Sequence, residues 1–152
     1  MYSENIIVIV KDIVEKAAKI SDRYVKAGKV NYACIFSHNL DEYRDLYDAV
    51  KKMGMVAKST ETGDLFKLNP PIKTCVGDLL ILKVRKPDAS KPQKGDADFN
   101  VDNYDEFKKR NMGRKNFSLI TRQGFEMIEI NDPREDVLVY FSSIPVIKQL
   151  GF

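Results

Sequence analysis

The sequence holds 152 residues, 43% hydrophobic and 31% charged, with eight Gly and six Pro. That is the length and mix of one globular domain with a real core, which excludes a disordered chain, a collagen-like repeat and a disulfide-stapled mini-protein. Twenty-five basic residues against 22 acidic leave a net charge of +3, too little to mark nucleic acid or a membrane as the partner.

The chain opens with helical periodicity. Ile6, Val10, Ile13, Ala17, Ile20 and Tyr24 recur in steps of four and three, forming one apolar stripe. The spacing predicts an amphipathic helix over residues 5–27, capped by Ser3 or Asn5 and ended by Gly28. The apolar run Ile6–Val10 falls short of the roughly 7–15 residues of a secretory core and the about 20 of a membrane span. The expectation is a cytoplasmic protein without a membrane helix. Two cysteines and one histidine, with no C-x-x-C, argue against a zinc site. Cys34, in an apolar strand, reads as a small core residue.

From residue 30 the chain echoes itself. Asn39-Leu-Asp-Glu-Tyr-Arg44 returns as Asn103-Tyr-Asp-Glu-Phe-Lys108, an offset of 64. Asn is a favoured N-cap, and carboxylates suit the first helical turn. Short strands precede each cap, at 30–36 and 96–101. Three strands follow each helix, at 55–60, 64–69 and 78–85, then at 117–122, 126–131 and 136–142. Two further landmarks match in order: 65–69 with 127–131 (offset 62) and 78–84 with 136–142 (offset 58). The reading is two copies of a β-α-β-β-β unit. Each is small for independent stability, so the two should pack together. The expected divisions are a helix at 1–29, modules at 30–85 and 96–143, a linker at 86–95 and a tail at 144–152, in one compact domain. The stretch 83–95, with two Pro, Ser and Gly, marks an exposed crossing.

Duplicated βαβββ modules resemble the vicinal oxygen chelate superfamily, which includes glyoxalase-like and bleomycin-resistance-like proteins. The resemblance covers roughly residues 30–143, and its most specific local feature is the Asp132-Pro133 turn within EMIEINDPREDVLVYF. It implies an α+β fold: an N-terminal helix plus curved mixed sheets forming a cup that holds a ligand. Metal-dependent members place ligands near the start of each first strand and on each last strand. Counting from the caps and the Asp-Pro turn puts Tyr32, Ile81, Asp96 and Val139 at those positions. One carboxylate among non-ligands is a poor cation site, so the expectation is a cup with neither metal nor other cofactor.

Along strand 96–101, Ala97, Phe99 and Val101 share one face; Asp96, Asp98 and Asn100 share the other. If the apolar face packs on the helices, the polar row faces the cup, opposite Tyr32 and Phe36. The alternative is a half-exposed strand with its carboxylates in water. Paired carboxylates are candidates for acid–base work. Glu126 shares a face with Ile128 and Ile130 and reads as an inward carboxylate, whereas Glu129, matched to Lys67, reads as outward. Arg85 and Arg122 end strands at comparable edges and suit an anionic ligand. The candidate catalytic set is Asp96, Asp98 and Glu126; the candidate binding set is Tyr32, Asn100, Arg122, Arg85 and Tyr140. His38, just before a cap, reads as a loop residue. The basic run 108–115 lacks interleaved aromatics and faces an acidic twin helix, which argues against nucleic-acid binding.

Two functions follow. One is metal-independent binding of a small molecule in the cup, with or without catalysis. The other is a non-catalytic interaction protein, a homodimer held by the N-terminal helix and the apolar tail of Ile144, Val146, Ile147, Leu150 and Phe152.

Overall fold

The amphipathic stripe forms a helix, α1, over Tyr2–Asp22 in the computed structural model, which describes residues 2–152 and the side chains of residues 5–152. The helix begins and ends earlier than the spacing predicts, and the expected caps Ser3 and Asn5 lie within it. Local hydrogen bonds turn the chain out of the helix before Gly28. Ser21 Oγ donates to the Val25 carbonyl at 2.8 Å, and Asp22 Oδ1 accepts from Ala27 N–H at 3.0 Å.

The rest is built from β1 (Val30–Phe36), α2 (Leu40–Lys51), β2 (Gly54–Thr60), β3 (Gly63–Thr74) and β4 (Gly77–Arg85), then β5 (Gly95–Phe99), α3 (Tyr104–Asn111), β6 (Phe117–Arg122), β7 (Phe125–Ile130) and β8 (Val137–Ser142). A single-turn helix, α4 (Val146–Gln149), closes the described chain. Both expected caps form: Asn39 and Asn103 side chains accept from the backbone N–H of Glu42 and Glu106. Asn103 does so from the left-handed region, which Asn tolerates.

The strands join in one curved sheet of order β2-β3-β4-β1-β5-β8-β7-β6. Each β-α-β-β-β run supplies one half, and the halves meet only where β1 runs antiparallel to β5. At that seam Ala33 lies opposite Ala97, 64 positions on, the same offset that separates the caps.

One face of the sheet carries the helices. Ile6, Val10, Ile13, Val14, Ala17 and Ile20 pack there with Val30, Ala33, Ala97, Phe99, Val139 and Phe141. Helix α1 lies across β1, β5 and β8 and also touches α2. Although it stands outside the repeat in the sequence, it is a central core element, and its apolar stripe is used within its own chain. Gly95 makes the close approach: a Cβ there would sit 2.2 Å from the Cys34 carbonyl oxygen and 2.8 Å from Ile13 Cδ1. An ionic cluster around the buried Asp132 fixes the end of the helix. Arg23 and Arg134 hold Asp132, at 3.0 and 2.6 Å, and Arg23 also reaches Glu135.

The opposite, concave face is the cup. A bulge between Val30 and Tyr32 puts Asn31 and Tyr32 on this face together. The tail docks inside: Val146 packs on Leu65 and Ile81, beside Ile147 and Leu150.

Candidate functional site

A cavity of about 340 Å³ opens in the cup, bridging its two halves. From the first half come Tyr32 (β1), Lys58 and Thr60 (β2), Thr62 and Leu65 (the β2–β3 hairpin), and Lys83 and Arg85 (β4). The second half contributes Arg122, Phe125 and Met127 from the β6–β7 hairpin, and Val146, Gln149 and Leu150 of the tail form a further wall. The size suits a small organic molecule, and the mixture of apolar and charged walls suits one with both characters.

Alternation along β4 explains the cationic wall. Leu82 and Val84 point to the helices, so Lys83 and Arg85 point to the cup. Lys83 is 8% exposed, and its ammonium donates to Thr62 Oγ1. Burial is the main force pushing its pKa down, and the nearby charges of Arg85 and Arg122 push the same way. Arg85 reaches Asp88 at 3.2 Å, while its Nε is buried without a partner.

Asp96 lies next to this wall, 7% exposed, with Oδ1 unpartnered. Burial pushes its carboxyl up to about 7, and the Asp98 charge adds to that; Lys83 and Arg85 act against both. Asp98, 1% exposed, is fully engaged. It accepts from the backbone N–H and the hydroxyl of Ser142 and from Asn31 Nδ2. Burial still pushes it up to about 6. Asn31 Oδ1 in turn accepts from Val146 N–H at 3.1 Å. Asp98 therefore anchors strands and tail.

Of the remaining sequence candidates, Tyr32, Arg85 and Arg122 line the cavity. Tyr140 is buried beside Cys34, Phe36 and Leu138, and its hydroxyl donates to Glu129 at 2.6 Å. Three readings need correction. Strand β5 stops at Phe99, so Asn100 lies beyond it, exposed and bonded to Asn31, away from the cavity. Glu126 turns to the helix face, where Lys108 (2.8 Å) and Tyr104 (2.9 Å) hold it, and Glu129 is the residue on the cup side. The assumption that Ile128 and Ile130 mark the inward face inverted this pair, because the apolar face of β7 lies under the helices. Val139 also faces the helices: Ala97 pairs with Val139 as Ala33 pairs with Leu82, an offset of 57 in place of 58. A one-residue slip moves a side chain to the other face.

Lys58, Thr62, Lys83 and the tail residues were missed. Lys83 carried a readable signal, a charge between Ile81 and Arg85 on one face of an otherwise apolar strand.

No family model and no curated protein matches the sequence. Among solved structures, a structural-genomics protein, EC4020, aligns over 97% of this chain and 90% of its own, with TM-score 0.74 and 11% identity. A glyoxalase/bleomycin resistance protein/dioxygenase superfamily member from Vibrio splendidus 12B01 aligns over 73% of this chain and 95% of its own, with TM-score 0.47 and 11% identity. The paired β-α-β-β-β halves around one concave face decide the architecture. The fold is the vicinal oxygen chelate fold.

That fold raises the question of a metal. The positions around the cup hold Tyr32, Ile81, Lys83, Asp96, Leu138 and Tyr140. Among the described residues, no three His, Cys, Asp or Glu side chains converge. A single carboxylate beside Lys83 and Arg85 does not fit a divalent cation, which needs several oxygen or nitrogen donors. Among the described residues no helix is long and apolar enough to cross a membrane.

Proposed function

We propose that this protein binds a small molecule in the cup and does so through its own side chains, without a resident metal. One observation carries the reading: a cavity of about 340 Å³ spans both halves of the sheet, and Arg85, one of its walls, keeps a buried Nε without a partner, as does the Oδ1 of Asp96 behind that wall. Such atoms are costly to bury unless something satisfies them. Catalysis in this cup would rest on Asp96, because Asp98 is engaged by Ser142 and Asn31, and Glu126 lies on the other face. A carboxyl that titrates near neutrality can both give and take a proton.

Self-association through α1 and the tail draws little support from the packing, since most of their apolar residues are buried on their own sheet and only Val8, Ile144 and Phe152 are left exposed. Exposed apolar groups for a homodimer lie elsewhere as well, at Met55 and Val56 on β2 and Leu119 on β6.

Native mass spectrometry of freshly purified protein tests the reading. The expected spectrum shows a retained species of small-molecule mass that is absent from Thr62→Trp, which fills the cavity at a half-buried wall position. A retained species that persists in Thr62→Trp places the ligand elsewhere and sinks the reading. A spectrum of bare protein, unchanged when a small-molecule extract is added, does the same.

A further inference from the structure

The cup has a charge imbalance that its own residues do not resolve. Lys58, Lys83, Arg85 and Arg122 all line the cavity, and no carboxylate does. Among the described residues, no carboxylate lies within ion-pair distance of Lys58, Lys83 or Arg122. Arg85 has one partner, Asp88. Surface lysines often stand alone, but Lys83 is 8% exposed and sits mid-strand, where an unpaired ammonium is expensive. The nearest buried carboxyl, Asp96, offers only partial compensation, because burial keeps much of it protonated near neutral pH. Phe125, Met127 and Leu150 add apolar surface to the same cavity.

We propose that the cup takes an organic dianion, a phosphate monoester or dicarboxylate head held by Lys83, Arg85 and Arg122, with a small apolar body against Phe125, Met127 and Leu150. The proposal rests on the reading of the cup as a ligand site and specifies the ligand's chemistry. Guanidinium forks suit both kinds of head, and the ammonium of Lys83 adds a point charge. A dianion would offset the crowding of like charge around Lys83.

Calorimetric titration of the full chain with phenyl phosphate, phenylmalonate and benzyl alcohol tests this. At least one dianion is expected to bind, and benzyl alcohol to bind about tenfold more weakly or worse. Arg122→Ala and Lys83→Met should each weaken the dianion by about tenfold. Arg122 is exposed at a strand end, so its variant tests the claim even if Lys83→Met disturbs folding. Tight binding of phenyl phosphate alone assigns a phosphate head; tight binding of phenylmalonate alone assigns a dicarboxylate. Failure of both dianions at millimolar concentration, parity with benzyl alcohol, or indifference to Arg122→Ala overturns the proposal. If native mass spectrometry still shows a species lost in Thr62→Trp, only the ligand class is wrong and the cup remains the site.

Discussion

Two buried carboxylates in this chain respond to pH in opposite senses. Burial raises Asp96 to about 7, above its ordinary value of 3.8. The folded state therefore binds more protons than the unfolded state between those values, and this contribution to stability is lost as pH rises through them. Asp132 is held well below its ordinary value, chiefly by hydrogen bonds from Arg134 with Arg23 contributing. Its contribution is present at neutral pH and is lost as pH falls through the acid range. Asp96→Asn should thus stabilise the protein by about 1–2 kcal/mol at about pH 8, and reduce the pH dependence above about pH 4 to the part that Asp98 carries. Urea denaturation across pH measures both effects; an unchanged slope would contradict the buried, unpaired state of Asp96. Asp132→Ala should cost about 1–2 kcal/mol, since it removes the carboxylate that ties Arg23, just past the end of α1, to the β7–β8 turn and leaves Arg23 only Glu135. The Asp-Pro pair was legible as a turn. Its ionic role was not, because Arg23 is 109 residues away and no local pattern links the two.

At the scale of elements, the sequence made periodicity readable and left direction ambiguous. Alternation located β7 almost to the residue and separated Glu126 from Glu129, but it could not say which face met the helices. In this fold both faces of the central strands are buried, one under α1 and one in the cup, so polarity alone is a poor guide. The helix stripe was equally clear, and its partner equally hidden. Sequence spacing does not reveal that α1 crosses β1, β5 and β8. That placement makes two predictions. Val14→Asp, at a fully buried site, should unfold the chain or cost more than about 4 kcal/mol, whereas Val8→Asp, 67% exposed on the same helix, should be neutral within about 0.5 kcal/mol. Gly95→Ala should cost about 2–3 kcal/mol, because its methyl would press on the Cys34 carbonyl of β1 and on Ile13 of α1. Thermal melts of the three variants suffice. Equal effects of the two aspartates would mean that α1 does not pack as described.

For the whole molecule, the least foreseeable feature is the tail. Its apolar residues signalled that it must dock, but nothing local linked it to Leu65 and Ile81 of the first half. The lock is polar: Asn31 links Asp98 to Val146 N–H. Asn31→Ala should raise the hydrogen-exchange rates of residues 146–150 by about tenfold, while leaving α1 protected. Uniform loosening of the whole chain would instead make Asn31 a general core contact.

The two halves of the sheet share a single ladder, β1 with β5. The hairpins that carry Thr62 and Phe125 lie at the far ends of the strand order, three strands from that ladder on each side. They are the long arms of a lever whose fulcrum is the Ala33–Ala97 pair. A slight rotation at the fulcrum becomes a larger change in the aperture between Lys58 and Arg122. Helix α1, laid across the back of the joint and packed on strands of both halves, splints that fulcrum.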